Sequence, residues 1–220
     1  MHIRSLGRSD YRPVEAAMRE FTHARVSETP DEIWLVEHEP VFTLGVAGRG
    51  EHVLDAGPIP VLRTDRGGQV TYHGPGQVVA YPLVDLRRLR IYVKEYVYRL
   101  EQAVLDVLHA HDLTGHRVPG APGVFVRIDE PAGHARHVVD AADPFAGLAK
   151  VAALGVKVSN HRTYHGVALN VSMDLRPFSR INPCGYAGLK SIDLATLGVN
   201  ADWDSVAGSL AARLSALLSP

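Results

Sequence analysis

Cys184 is the only cysteine of the chain and the first residue whose type and setting could do chemistry. It lies in the segment INPCGY, where Pro183 favours a turn and Gly185 leaves the approach to the sulfur open. A lone cysteine is more often a small, inert core residue than a nucleophile, because reactivity requires an accessible and electropositive setting. The Pro-Cys-Gly turn favours a nucleophile over a core residue.

Lys150 is the second candidate, because it stands among small apolar residues in AKVAALGV at the start of a predicted strand. A lysine at a strand end often extends its charged group to water, and that interpretation stays open. In the alternative, a partly desolvated lysine exchanges protons near neutral pH and its cation favours the thiolate of a neighbouring cysteine.

The segment RGGQVTYHGPGQ, residues 66–77, could hold a ligand close to the backbone. Its glycines let the chain pass near a ligand and leave N–H groups free, while Arg66 and His73 supply polar side chains. The simpler interpretation is a pair of tight turns with a surface histidine. The spacing matches neither a phosphate-binding P-loop nor a dinucleotide-binding loop.

A second His-Gly pair, His165-Gly166, precedes the buried-strand pattern VALNV. A metal site could use the spacing of His134-x-x-His137 or of His161-x-x-x-His165. Neither pair has a cysteine or carboxylate partner at a convincing offset, so we expect no metal site.

Apolar periodicity predicts the elements that position these residues. Helices are predicted over 10–27, 92–112 and 202–218, and strands over 32–37, 41–45, 61–65, 123–128, 150–159 and 165–172. Residues 68–84 resemble a hairpin or a bent strand pair around a Gly-Pro-Gly turn, and the weakly patterned segment 129–148 is expected to be a surface loop.

The helices flank the strands without alternating with them, which predicts an α+β fold with a mixed, mostly antiparallel sheet. The length of 220 residues fits one domain over 1–220, with a catalytic region of about 27–208. The net charge of -1 gives no global basic field for nucleic acid. No segment approaches the roughly 18 apolar residues of a membrane span and no signal peptide is evident, so we expect a cytoplasmic protein without membrane association.

Four blocks in order resemble the octanoyltransferases of lipoate biosynthesis, also called lipoyl(octanoyl) transferases. The blocks are RGGQVTYHGPGQVVAYP (66–82), KVAALGVKV (150–158), YHGVALNVSMDL (164–175) and INPCGYAG (181–188). The resemblance implies the fold of biotin and lipoate protein ligase catalytic domains. It also implies transfer of an octanoyl group from octanoyl-acyl carrier protein to a lysine of a lipoyl domain.

By the same resemblance, Cys184 carries the acyl group as a thioester and Lys150 is its catalytic partner. The implied substrate-binding residues are Arg66, Gly67, Gly68, Gln69, Val70, Thr71, Tyr72, His73, Ala152, Ala153, Leu154, His165, Gly166 and Val167. Transfer between a thioester and an amine suits a covalent route and needs no cofactor, because the donor is already activated.

The implied partners are octanoyl-acyl carrier protein as donor, and as acceptors the lipoyl domains of 2-oxoacid dehydrogenases and the glycine cleavage H protein. We expect a monomer. Three alternatives stay open at this point: an ATP-dependent lipoate or biotin ligase, a non-catalytic module that binds an acyl carrier or lipoyl domain, and a papain-like hydrolase.

Overall fold

The structure is a computed structural model that describes residues 1–134, 140 and 143–220. Its described residues form eleven strands and four α-helices. The strands are β1 (His2–Ser9), β2 (Glu32–His38), β3 (Val41–Leu44), β4 (Val61–Arg63), β5 (Val70–His73), β6 (Gln77–Leu83), β7 (Gly115–Val118), β8 (Ala121–Arg127), β9 (Leu148–Ser159), β10 (Arg162–Asn170) and β11 (Lys190–Ser191). The helices are α1 (Tyr11–Ala24), α2 (Leu86–Leu89), α3 (Val93–His109) and α4 (Trp203–Leu217).

Two sheets organise the chain. The larger has eight strands in the order β1-β2-β6-β10-β9-β8-β7, with β11 beside β9. Its pairs are antiparallel except for β1 with β2 and β11 with β9. The smaller sheet has the order β4-β3-β5. The predicted α+β fold with a mixed, mostly antiparallel sheet and flanking helices is confirmed.

The larger sheet is buried on both faces by amphipathic helices. Helices α3 and α4 cover one face and form the main core, which includes Tyr96, Leu100 and Leu210. Helix α1 packs Val14 and Met18 against the other face, as its apolar spacing predicts. No helix among the described residues is long and apolar enough to cross a membrane.

Two features of the fold differ from the sequence-based expectations. Strands β5 and β6 are not paired as a hairpin, because β5 joins the smaller sheet and β6 the larger one, so the Gly-Pro-Gly turn passes the chain from sheet to sheet. Strand β1 was not predicted, and neither were β7 and the short helix α2. Part of the expected loop 129–148, at 135–139 and 141–142, lies outside the described residues.

Candidate active site

Cys184 lies in a single turn of 3-10 helix, Pro183–Gly185, with a left-handed backbone conformation (φ 57°, ψ 11°). A residue with a side chain rarely adopts this conformation, and such residues are often found at functional sites. The residue is partly exposed and its side chain packs beside a small aromatic and aliphatic cluster that includes Phe125 and Phe145. Cys184 is therefore accessible and differs from an inert core cysteine.

Lys150 is the third residue of β9 and is only 5% exposed. Its Nζ donates to the carbonyl oxygen of Pro122 at 3.0 Å and lies 2.9 Å from Cys184 Sγ. The ammonium group also lies 5.2 Å from the ring centre of Phe125. The charged group therefore points inward to the sulfur, and the alternative of a strand-end lysine that reaches water does not hold.

A β-bulge explains why Lys150 faces the sulfur. Val124 of β8 is paired with Ala152, whereas Phe125 is paired with Lys150, so Val151 is an extra residue in β9. Both Val151 and Ala152 pack into the core under α3 and α4. In a regular strand Lys150 would point to the same side as Ala152; the bulge turns it to the opposite face.

The glycine-rich segment is held against β9 by its own backbone. The Gly67 N–H donates to the carbonyl oxygen of Val156 at 2.9 Å. The buried Arg66 guanidinium donates to Thr43 and to the carbonyl oxygen of Gln69, at 2.8 Å for the latter. These bonds fix residues 66–69 as one wall of a cavity.

The cavity has a volume of about 340 Å³ and is bordered by both sheets, with Lys150 and Cys184 among its lining residues. Gly67, Val70 and Thr71 contribute from the smaller-sheet side, and Leu154 and Val167 from the larger sheet. A volume of this size is within the range of about 300–1,000 Å³ that is usual for small-molecule sites. Its mostly apolar lining suits an alkyl chain beside the thiol.

Neutral aromatic and imidazole groups also line this cavity. Burial lowers the pKa of His73 to about 3 and raises the pKa of Tyr11 to about 12. His73 Nδ1 donates to Gln77 Oε1 at 2.8 Å, which leaves Nε2 as an acceptor. Tyr11 stacks on the His73 ring with a centroid separation of 5.8 Å. Both groups are uncharged at neutral pH, as burial at the wall of a mostly apolar cavity favours.

His165 is buried at the same cavity and is oriented by Asp65. Its Nε2 lies 3.0 Å from Asp65 Oδ1, and Asp65 also accepts from Tyr164 and pairs with Arg19. His161, its partner in the rejected metal pair, is exposed. Of the other pair, His137 lies outside the described residues.

Glu15 joins Asp65 and His165 in a cluster whose oxygen and nitrogen atoms lie within 4.8 Å of one another. Arg12 and Arg19 already pair with the Glu15 carboxylate. Ion pairs with these arginines hold the Glu15 carboxylate in the cluster.

Most of the residues expected to bind substrate line this cavity, and they come from three separate segments of the chain. They are Arg66, Gly67, Gly68, Gln69, Val70, Thr71, His73, Ala153, Leu154, His165, Gly166 and Val167.

Two expected residues are placed elsewhere, and this corrects the predicted lining. Ala152 faces the core under α3 and α4, because side chains alternate along a strand and Ala153 takes the cavity side. Tyr72 points into the core of the smaller sheet beside Phe42 and Phe178 for the same reason.

Tyr11 and Tyr81 line the cavity but were not singled out from the sequence. Tyr11 opens α1 and Tyr81 lies in β6, both far along the chain from Cys184. Tyr81 follows directly on the glycine segment in the block 66–82, which was the available signal.

Comparison with known proteins shows the family of this chain. The family model of the lipoyl protein ligase A/B catalytic domain matches residues 11–214. An octanoyltransferase of Variovorax paradoxus (strain S110) is 60% identical over 98% of this chain and 96% of its own. An octanoyltransferase of Methylibium petroleiphilum is also 60% identical, over 100% of this chain and 99% of its own.

Solved structures of low identity share the fold. A lipoate-protein ligase A bound with ATP superposes with a TM-score of 0.72 at 16% identity, covering 99% of this chain and 85% of that one. Biotin protein ligase from Aquifex aeolicus superposes with a TM-score of 0.56 at 12% identity, over 99% and 70% of the two chains. Since the family model spans nearly the whole chain and full-length relatives are 60% identical, this chain belongs to the lipoyl protein ligase A/B catalytic domain family.

Proposed function

We propose that this chain transfers an octanoyl group from octanoyl-acyl carrier protein to a lysine of a lipoyl domain, with Cys184 as nucleophile and Lys150 as proton carrier. The chain is an octanoyltransferase, as its full-length relatives are named. The observation that supports the catalytic pair is the 2.9 Å contact between Lys150 Nζ and Cys184 Sγ at the wall of an apolar cavity.

The first half-reaction forms the acyl-enzyme. Cys184 thiolate attacks the carbonyl carbon of the donor thioester, the bond to the donor sulfur breaks, and the octanoyl group remains on Sγ. Lys150 gives its proton to the departing thiolate and becomes neutral. A cation at this distance from the sulfur favours the thiolate before the attack, so the attack needs no separate base.

The second half-reaction reverses the proton movement. The neutral amine of the acceptor lysine attacks the thioester carbon, the bond to Cys184 Sγ breaks, and Lys150 takes the proton that the new amide nitrogen loses. The thiolate and the ammonium group are restored. The octanoyl tail stays in the cavity through both steps, so the carbonyl carbon stays close to the sulfur.

Residues 1–220 act as one acyltransferase domain with its catalytic region at about 27–208, as a monomer in the cytoplasm. Lipoyl domains of 2-oxoacid dehydrogenases and the glycine cleavage H protein are the acceptors. No cofactor or metal takes part, since the donor thioester supplies the activation.

A transfer assay with and without ATP distinguishes this function from that of a ligase of the same fold. The purified chain, octanoyl-acyl carrier protein and a lipoyl domain are incubated with and without ATP. The mass of the lipoyl domain is then measured by mass spectrometry. We expect octanoylation without ATP and no octanoylation from free octanoate with ATP. An absolute requirement for ATP would overturn the proposal.

A further inference from the structure

The carbonyl group that holds Lys150 is itself part of a fixed turn. Lys150 Nζ donates to the oxygen of Pro122, and the next residue, Gly123, donates its N–H to Glu101 Oε1 at 3.0 Å. Glu101 lies in α3 and is 8% exposed. A buried carboxylate bonded to a backbone N–H is a strong hydrogen bond, because one partner is charged.

Glu101 is held in place from its other side. Arg117 of β7 donates through Nε to Glu101 Oε2 at 3.0 Å, and its NH2 group donates to Gln102 Oε1 at 3.0 Å. The Arg117 guanidinium also lies 4.0 Å from the ring centre of Tyr98. The carboxylate therefore has one oxygen on the arginine and the other on Gly123.

The Lys150 side chain packs tightly against the backbone of Gly123. A Cβ atom at Gly123 would lie 2.4 Å from Lys150 Cε and 2.9 Å from its Nζ, and the residue has a φ of 142°. The lysine stem therefore packs directly on the Gly123 backbone. A shift of this turn moves the Pro122 oxygen and the surface on which the lysine rests at the same time.

We propose that Glu101 is the positioning residue of the catalytic lysine, since its carboxylate fixes the Pro122-Gly123 turn that aims Lys150 Nζ at Cys184 Sγ. Glu101 itself does not line the substrate cavity. Its effect is therefore on the rate of the chemical steps and not on the binding of the acyl chain. This inference rests on the proposed Cys184–Lys150 pair.

The test uses a matched pair of variants at Glu101. Glu101→Met keeps the side-chain length but removes the acceptor for the Gly123 N–H, whereas Glu101→Gln keeps an acceptor oxygen and removes the charge. Glu95→Ala is the control, because Glu95 is an exposed α3 carboxylate that pairs with Arg99 and lies away from the turn. Each variant is measured for thermal unfolding, for kcat and KM of transfer, and for the pH profile of Cys184 alkylation without donor.

We expect Glu101→Met to lower kcat by about 10- to 100-fold with little change in KM for the donor, because a misplaced catalytic group costs this much. The pH profile of Cys184 alkylation in Glu101→Met shifts towards that of Lys150→Ala. The double variant Glu101→Met/Lys150→Ala has the same profile as Lys150→Ala alone. Glu101→Gln keeps the acceptor for the Gly123 N–H but sets its NH2 group against Arg117, so its shift should be clearly smaller than that of Glu101→Met, and Glu95→Ala behaves as the wild type. If Glu101→Met does not fold, Glu101→Ala replaces it. A water molecule can then accept from the Gly123 N–H without tying the turn to α3.

Two results would overturn the positioning role alone: a wild-type profile in Glu101→Met, or an equal shift in Glu101→Gln, which would assign the effect to charge. The Lys150→Ala variant shows whether the proposed Cys184–Lys150 pair is itself wrong. If that variant leaves the profile unchanged, the proposed pair is wrong and the role of Glu101 is overturned with it.

Discussion

Lys150 Nζ lies 2.9 Å from Cys184 Sγ although 34 residues separate the two along the chain. Two local irregularities produce this contact: the bulge at Val151 turns the lysine to the cavity face, and a left-handed backbone conformation places the cysteine in its tight turn. Both irregularities go against regular backbone geometry, which is common where a fold must present reacting groups.

The two proposed roles of Lys150, stabilising the thiolate by its charge and carrying a proton, can be tested separately. Lys150→Ala shifts the pH profile of Cys184 alkylation to higher pH and lowers transfer, because no cation then favours the thiolate. Lys150→Arg retains much of the wild-type profile but not transfer, since arginine does not release a proton near neutral pH. The measurement is a pH series of alkylation rates beside transfer assays. Wild-type transfer by Lys150→Arg would rule out the proton-carrier role.

The apolar cavity predicts a preference for long acyl chains. Each buried CH₂ contributes roughly 0.8 kcal/mol, so four fewer groups in a butanoyl donor cost about 3 kcal/mol, or about 200-fold in kcat/KM. Ala153 lines the cavity from β9, and Ala153→Leu fills part of it. We expect this variant to lose more activity with octanoyl than with butanoyl donor. Equal use of both donors by the wild type would contradict the cavity assignment.

Buried histidines make the folded state sensitive to acid. Burial lowers the pKa of His38 from 6.5 to about 4 and that of His73 to about 3. Between pH 6.5 and these lower values the unfolded chain binds protons that the folded chain does not, so stability falls as the pH falls. At pH 5 each histidine lowers the free energy of unfolding by about 2 kcal/mol relative to pH 8.

Urea denaturation at pH 8 and pH 5 checks this effect above the range where most carboxylates titrate. His38→Gln should show a smaller loss of stability between the two pH values than the wild type. His161→Gln is the control, because His161 is exposed. The same pH dependence in wild type and His38→Gln would show that His38 is not held neutral by the fold.

Two glycines should respond in opposite directions to the same substitution. A Cβ at Gly166 would lie 2.3 Å from the carbonyl oxygen of Ala80 on the neighbouring strand, so Gly166→Ala destabilises the protein by about 1–3 kcal/mol. Gly208 lies on the exposed side of α4 with no atom within 4 Å of such a Cβ, and Gly208→Ala stabilises by about 0.5–1 kcal/mol. Thermal denaturation of both variants measures the difference, and a neutral Gly166→Ala would contradict the close approach of β6.

The sequence was sufficient to single out Cys184 and Lys150, which the structure brings into contact, and to predict the elements with a buried face. Lys150 was conspicuous because it interrupts a small apolar strand, and β9, β10 and the long helices have clear apolar periods. Strand β1 was missed because nearly all of its residues are exposed, so it has no apolar pattern; its pairing with β2 and the packing of Leu6 hold it in place.

Other features depended on contacts between distant segments. The bulge at Val151 is set by the registers of β8 and β9, and a run of small residues such as AKVAAL gives no sign of it. The assignment of Ala152 to the pocket failed for this reason, since only the register decides which alanine faces the cavity. Tyr11 reaches the cavity through the packing of α1, which its own helical period does not specify.

The covalent acyl-enzyme is the central claim, and intact-mass analysis of the chain after brief incubation with octanoyl-acyl carrier protein tests it most directly. We expect a mass increase of one octanoyl group, located on Cys184 by peptide mapping and discharged when a lipoyl domain is added. Cys184→Ser should remain folded, show no such adduct and lose transfer by more than about 1,000-fold, since its hydroxyl is a poorer nucleophile near neutral pH. Octanoylation of the lipoyl domain at the wild-type rate by Cys184→Ser would contradict the account.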